Sequence, residues 1–349
     1  MGATLLICTY NGAERLLETM RHVAAQQVPA GTSWEVVLVS NASTDDTLAV
    51  APCLWADLGA PAPLRIFNEP RAGKENALIR GFGEARYECI CIIDDDNWLY
   101  PDYVAQATQL LRLHPEIGVL GARAEGAFEV EPPAWFAQFQ AVFAIGPQAP
   151  KSGPIRKHDA YVYGAGSVVR RSGWRHLRAQ GFVFTTSAKR GLTLSGAEDV
   201  ELGDALRLAG YDLWYDERLR LRHYMYKERL TVDYLQRMGK GTGGSGLTSL
   251  VYFFLHREPD LELATFRRRY LRWLAWQSRD IVVRPGELLT YARHGLDPAF
   301  PTTFETMRRI VRLKMGLTHR PQAEDIFRQV KDLQRRLQAN PAPITAPAS

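Results

Sequence analysis

Cys89-Ile90-Cys91-Ile92-Ile93-Asp94-Asp95-Asp96 is an apolar run that ends in three carboxylates. Such a run reads as a strand buried on both faces. Three adjacent aspartates at its carboxyl end repel one another unless a cation absorbs their charge. Oxygen ligands of this kind suit Mg²⁺ or Mn²⁺, ions that also hold a substrate's phosphates. Open α/β sheets bind ligands beyond the carboxyl ends of their strands, so the stretch predicts a divalent-metal site on a sheet rim. Asp also favours turns and helix N-caps, and a solvated acidic turn is the plainer alternative.

The surrounding sequence supplies the rest of such a sheet. Ala3 to Cys8, Trp34 to Val39 and Leu64 to Phe67 are short apolar strands, and Ile117 to Leu120 follows the acidic run. Between them, Gly12 to Gln27, Thr44 to Leu58 (interrupted near Pro52), Glu75 to Ala85 and Pro101 to Leu113 carry helical periodicity. Strands alternating with helices predict an α/β fold, a mostly parallel sheet with helices on both faces. Past Arg123 the alternation loosens. A short aromatic helix is expected over Trp135 to Phe143, a mobile Gly/Pro loop over Gly146 to Pro154, and a strand over Ala165 to Val169. Asp199 to Leu208 reads as a helix closed by Gly210, and Leu219 to Arg222 as a strand. Beyond Tyr226 the pattern is helical and basic, and Asn340 to Ser349 is a Pro/Ala-rich tail expected to be disordered.

With 349 residues the chain has room for one large domain and an appendage, or for two domains. Its net charge of +5 is mild and its excess arginines lie late, at Arg267-Arg268-Arg269 and Arg308-Arg309. Nucleic acid is not the expected partner. A basic amphipathic helix over Leu263 to Trp276 is compatible with peripheral contact with an anionic membrane, or with packing on the catalytic domain. Cys8, Cys53, Cys89 and Cys91 lack zinc-site spacing and read as reduced thiols of a cytoplasmic protein. No signal peptide is expected, and the longest apolar stretch, Leu247 to Leu255, is too short to span a bilayer.

Four segments fall at strand ends along one rim: Thr9-Tyr10-Asn11, Ser40-Asn41-Ala42-Ser43, Asn68 to Lys74, and Asp94 to Asn97. Tyr10 can stack on a base and Asn41 can bond a base edge. Arg71 and Lys74 can neutralise phosphates, while the aspartates hold a metal. This order resembles the family 2 glycosyltransferases of the Rossmann-like GT-A fold. The segments that carry the resemblance are CTYNG (8–12), VSNASTDDT (39–47), NEPRAGKENALIRGF (68–82), IIDDDNWLYPDYV (92–104), GAGSVVRR (164–171) and GAEDVELGDALRLAGYDLWYD (196–216).

The resemblance implies a GT-A catalytic domain over 1–225, with a nucleotide-sugar half (1–121) and an acceptor half (122–225), then a helical extension over 226–339. It implies that Thr9, Tyr10, Asn11, Ser40 and Asn41 line the nucleoside pocket, with Arg71 and Lys74 at the phosphates. Asp94 and Asp95 would touch ribose and diphosphate. Asp96, with Asp94 and His223, would hold Mn²⁺ or Mg²⁺. Asp199 would be the general base, with Glu198 beside it. The reaction implied is inverting transfer of one sugar from a UDP-linked donor to a glycan, lipid-linked or protein hydroxyl, in bacterial cell-surface glycan synthesis. The expected location is the cytoplasm, where the basic C-terminal helices allow peripheral contact with the inner face of the membrane. Ser40 stands where many members carry Asp, and the Q-x-x-R-W motif of processive synthases is absent; Gln236-Arg237-Met238-Gly239 only approaches it.

Independent chemistry agrees: cleaving a sugar–diphosphate bond leaves charge on oxygen that cations stabilise, and the attacking hydroxyl needs a base. Glu198 and Asp199 are equally good first-turn helix residues. Trp135, Trp174 and Trp214 could platform a sugar, although core packing is their commoner fate. Gly239 to Gly244 lacks Walker spacing and reads as a flexible loop. The rivals are a sugar nucleotidyltransferase, which would carry a Gly-rich Arg loop after the first strand; a dehydrogenase, which would need G-x-G-x-x-G there; and a non-catalytic glycan-binding scaffold.

Overall fold

The computed structural model describes residues 1–156, 161–185, 197–244 and 246–344. Four strands form its parallel half, the half-buried β3 at its edge: β1 (Ala3–Thr9), β2 (Trp34–Asn41), β3 (Leu64–Glu69) and β4 (Cys89–Asp94). They lie in the order β3-β2-β1-β4, with Thr9 in register with Ser40, Cys8 with Asp94, and Asn41 with Glu69. All four carboxyl ends therefore reach one rim. The crossovers are α1 (Leu16–Ala24), α2 (Thr47–Asp57) and α3 (Lys74–Glu84). Each hides a stripe at helical spacing, as Leu16, Thr19, Met20 and Val23 do on α1. Pro52 sits inside α2 without breaking it, contrary to the expected interruption.

Beyond β4 the sheet turns mixed. The short β5 (Asn97–Leu99), α4 (Tyr103–Leu113) and β6 (Ile117–Phe128) lead into α5 (Phe136–Phe139), β7 (Gly153–Pro154), β8 (Val168–Arg170) and α6 (Arg171–Ala179). Then come α7 (Glu198–Leu208) and β9 (Asp212–Met225). The order continues β4-β8-β6-β9-β5, with β8 antiparallel to both neighbours and β6 parallel to β9. Two expectations change here. The sequence marks only Ile117 to Leu120 of β6 and Leu219 to Arg222 of β9, whereas β6 runs on to Phe128 and β9 extends from Asp212 to Met225. The Gly146 to Pro154 segment is pinned to the sheet, by a bridge from Gly146 to Ala124 and by β7 on β9.

Side chains alternate across the parallel strands and feed two cores. Leu5, Ile7, Val36, Leu38, Cys91 and Ile93 pack toward α1, α2 and α4. Leu6, Val37, Val39, Ile90 and Ile92 pack on the other face with α3, α6 and α7. That second core continues into the C-terminal helices: α8 (Val232–Gly244), α9 (Gly246–Arg257), α10 (Leu263–Val282), α11 (Pro285–His294), α12 (Thr302–Thr318) and α13 (Arg320–Ala339). Val251, Phe266, Tyr270, Phe327 and Val330 join it, so α10 turns its apolar stripe inward.

A third cluster ties α5 to α8 and α12 through Phe139, Phe143, Leu235, Phe304 and Met307. Gly239 to Gly244, expected as a loop, is the end of helix α8. A Cβ on Gly239 would stand 2.5 Å from Met307 and 2.6 Å from Phe304. The glycine there permits close helix contact. Trp174 is buried, and Trp135 and Trp214 pack against core clusters, so none of the three offers a free sugar platform. Ala342 and Ile344 pack on the core, while residues 345–349 lie outside the described ones. Among the described residues no helix is long and apolar enough to cross a membrane.

Candidate functional site

The rim of the parallel half opens into a cleft of about 1150 Å³. Tyr10, Lys74, Asp94, Asp95, Asp96, Glu198, Asp199 and His223 all line it. Tyr10 is 58% exposed, as a base-stacking residue needs to be. The remaining predicted contacts brace the loops around it. Thr9 is buried and donates to Asp95 Oδ2 at 2.6 Å. Asn41 spends its whole amide on the β3–α3 connection: Nδ2 donates to the carbonyls of Glu69 and Arg71, and Oδ1 accepts from the Gly73 N–H. Ser40 donates to Ser43 Oγ, and Asn11 Oδ1 accepts from the Thr44 N–H. Arg71 is held by Glu69 at 2.9 Å.

Two of these loops are strained. Asn11 and Ala42 stand at φ +49° and +53°, in the left-handed region at the ends of β1 and β2. Gly12 allows the first loop to close on the site, because a Cβ there would lie 1.9 Å from Thr9 Oγ1.

Each aspartate has its own basic partner. Lys74 Nζ lies 2.6 Å from Asp94 Oδ1, Arg15 Nη2 2.8 Å from Asp95 Oδ2, and Arg229 Nη2 2.7 Å from Asp96 Oδ2. The charge that seemed to require a metal is thus met first by protein cations. Burial alone would raise Asp96, but His223 and Arg229 prevail and hold it far below the usual carboxylate range. Burial also raises Asp95, only partly offset by Arg15 and Thr9. Burial opposes the charge on Lys74, yet Asp94 and Glu198 outweigh it and fix the ammonium form.

Asp96 is 2% exposed and takes a further hydrogen bond from Asn97. His223 Nε2 lies 3.4 Å from Asp96 Oδ1. Its Nδ1 sits 3.0 Å from the Phe143 carbonyl, which can only accept, so Nδ1 carries a proton and Nε2 is the nitrogen turned toward Asp96. A metal-ligating histidine is commonly oriented in this way. Asp96 and His223 stand side by side as the oxygen and nitrogen donor types that suit Mn²⁺, with Asp94 two residues away in the chain. Among the described residues no three His, Cys, Asp or Glu side chains converge as a complete cage, so a substrate or water would have to supply the other ligands.

Glu198 and Asp199 open α7, where the helix N-terminus favours acids. Asp199 is clamped: Oδ2 accepts from the Gly164 N–H at 2.7 Å and Oδ1 from the Val200 N–H at 2.8 Å. Gly164 leaves little room, since a Cβ there would meet Asp199 Oδ2 at 3.1 Å. Burial and then Asp199 push Glu198 up to about 7. Burial raises Asp199 as well, against Lys74 and the two backbone donors. Both acids are thus raised above their ordinary values, with Lys74 as the cation that favours ionisation.

Sequence reasoning missed Arg15, Arg229 and Tyr161, all on the cleft wall. An arginine after a strand or beside a helix reads as solvated, and nothing in the chain's linear order reveals that Arg229 reaches back to Asp96.

Residues 4–177 match the sequence model for glycosyl transferase family 2. Over 99 residues the chain is 30% identical to the succinoglycan biosynthesis protein ExoO of Rhizobium meliloti (strain 1021), a match that covers 28% of this chain and 26% of that protein. The chain thus spans about a quarter of that relative's length. The mannosyltransferase PcManGT from Pyrobaculum calidifontis, solved with GDP-Man and Mn²⁺, superposes with a TM-score of 0.54 at 18% identity, over 97% of this chain and 85% of that one. S. aureus TarS 1–349 with UDP-GlcNAc gives 0.51 at 14% identity, over 96% and 92%. At such identities the two structures establish the shared fold.

Proposed function

The chain belongs, through residues 4–177, to glycosyl transferase family 2, and from that premise we propose that it moves one sugar from a nucleoside-diphosphate donor to a hydroxyl acceptor, with inversion and with Asp199 as the base. The observation that carries this reading is the clamped Asp199 carboxylate, set in the same cleft as Lys74 and the aspartate triplet. Similar folds solved with UDP, UDP-GlcNAc and GDP-Man support a nucleoside-diphosphate donor. The exposed Tyr10 ring would stack on the base.

In this reading Gly164 and Val200 each bond one carboxylate oxygen of Asp199, fixing its direction. Its remaining lone pairs accept the proton from the acceptor hydroxyl. The acceptor oxygen then bonds to the anomeric carbon as the bond to the diphosphate breaks on the opposite face, and the electron pair leaves with the diphosphate. Lys74 and Arg229, released in part from Asp94 and Asp96, would stabilise that charge. Asp96, His223 and Asp94 would hold Mn²⁺, which when bound adds positive charge against the leaving group.

The raised pair makes activity pH-dependent. A base must be ionised, so transfer falls as pH drops through a midpoint above the ordinary aspartate value. Lys74 favours ionisation of both acids. Lys74→Met is therefore expected to move the acid limb of kcat/KM to higher pH, besides lowering its plateau. A limb that stays in place, or moves down, would separate Lys74 from the base.

The broader proposal is a role in cell-surface glycan synthesis, in keeping with the ExoO match. It includes contact with an anionic membrane through α10, whose exposed Leu271, Trp276 and Val282 lie among Arg268, Arg272 and Arg279. Sedimentation with anionic but not neutral vesicles tests that contact; equal recovery with both removes it. Metal-dependent release of sugar from a nucleotide donor tests the activity. A folded chain that binds nucleotide and never turns it over would favour the non-catalytic scaffold.

A further inference from the structure

The cleft continues past Asp199 onto α12, where Arg308 and Arg312 line its wall near Trp273 of α10 and Phe253 of α9. The three arginines on this helix are compensated unequally. Arg309 is neutralised from both sides, by Asp280 at 3.1 Å and Glu287 at 2.6 Å. Arg308 keeps Glu305 at 3.0 Å and lies over the Phe304 ring. Arg312 is half-buried and makes no hydrogen bond or ion pair with any described residue. Burial and then Arg308 work against its charge, and Arg309 adds to them; Glu305 and Asp280 offset only part, so its proton affinity is lowered. A guanidinium nevertheless keeps its proton. The wall therefore carries a positive charge without a direct partner among the described residues, where a bound anion gains the most.

The position of this charge separates it from the donor end. The cations acting on Asp95 and Asp96 are Arg15, Lys74, Arg229 and His223. Arg308 acts instead on the Tyr161 hydroxyl, which also feels Asp199. Arg308 thus lies toward Tyr161 and Asp199, with Arg312 one turn further along α12 in the same cleft.

We propose that the acceptor is anionic, and that Arg312, assisted by Arg308, binds its phosphate or carboxylate group close to the hydroxyl offered to Asp199. This rests on the glycosyltransferase reading and names the substrate class of that site. Tyr161, 46% exposed, and Phe253 line the same cleft and offer aromatic faces for sugar rings.

The test is calorimetric titration of the full chain with three oligomers of equal length: a glycerol-phosphate oligomer, an oligogalacturonate and a neutral dextran. Each is added with the donor end filled by UDP and Mn²⁺, and again without them. At least one anionic oligomer is expected to bind, more weakly at higher salt, while dextran does not. Which anion binds identifies phosphate or carboxylate as the group recognised. Arg312→Gln is expected to weaken that binding at least ~10-fold, the scale of a charge-assisted hydrogen bond. Arg312→Lys keeps part of it, and nucleotide affinity is unchanged in both. Equal binding of dextran, no binding of either anion, or an Arg312→Gln variant with full anion affinity overturns the proposal. A chain that fails to bind nucleotide but holds the anion through Arg312 would remove the donor reading and leave this site standing.

Discussion

Asp199→Asn is expected to lower transfer by ~10²–10⁴-fold, the usual contribution of a positioned base, while nucleotide affinity stays within a factor of two or so of the parent. The size follows from what the carboxylate does in the cleft. Both of its oxygens are oriented by backbone N–H groups, from Gly164 at 2.7 Å and Val200 at 2.8 Å. An amide offers one acceptor and one donor, so one of those N–H groups would face an NH₂. That mismatch costs about 1–3 kcal/mol locally, which the melting temperature would register. The kinetic loss is separable from it, because a folded variant with intact donor binding has lost only the proton acceptor. Steady-state transfer with a saturating donor reads the effect in kcat. An unaffected kcat would remove Asp199 from the mechanism and leave its clamp as a device for starting α7.

Asp96→Asn strikes the donor end. Its carboxylate accepts from Asn97 and faces Arg229 and His223, and it is nearly inaccessible. Removing one partner of a buried pair leaves the other charge unpaired, a loss of roughly 3–5 kcal/mol when both are fully desolvated. Arg229 retains some solvent, so the loss is expected toward the lower end. The larger effect is on ligand binding. Losing a direct metal ligand should lower metal-supported nucleotide affinity by at least the ~10–100-fold seen for outer-shell partners. Binding measured with and without Mn²⁺ checks this. A variant that keeps the Mn²⁺-dependent affinity of the parent would show that Asp96 serves only to hold Arg229 and His223.

The parallel half was legible because buried strands leave continuous apolar runs, and Cys89 to Ile93 is one of them. β9 was legible only in part: Leu219 to Arg222 alternates buried leucines with arginines and reads as a strand, whereas its first stretch, Asp212 to Asp216, short and bounded by two aspartates, does not. Gly239 was read as punctuation, whereas its missing side chain lets α12 approach α8. Of the site, the acids and Lys74 were legible by their places at strand and helix ends. Their partners were not. Arg15 and Arg229 acquire meaning only when folding brings them to Asp95 and Asp96, and Arg312 only when its neighbours on α12 prove to be compensated and it does not. The same blindness made the aspartate triplet look as though it required a metal, when three basic side chains stand against it.

The central claim is that the strand-end cleft binds a nucleoside diphosphate with the help of a divalent ion. A thermal-shift panel of UDP, GDP, dTDP and CDP, each with and without Mn²⁺, tests it most directly. A ligand at a hundred times its Kd stabilises the folded state by ~2.7 kcal/mol. The account predicts a clear rise in Tm with at least one of the four, larger when Mn²⁺ is present and lost in Asp96→Asn. A folded protein that shifts with none of them, at any metal concentration, would contradict it.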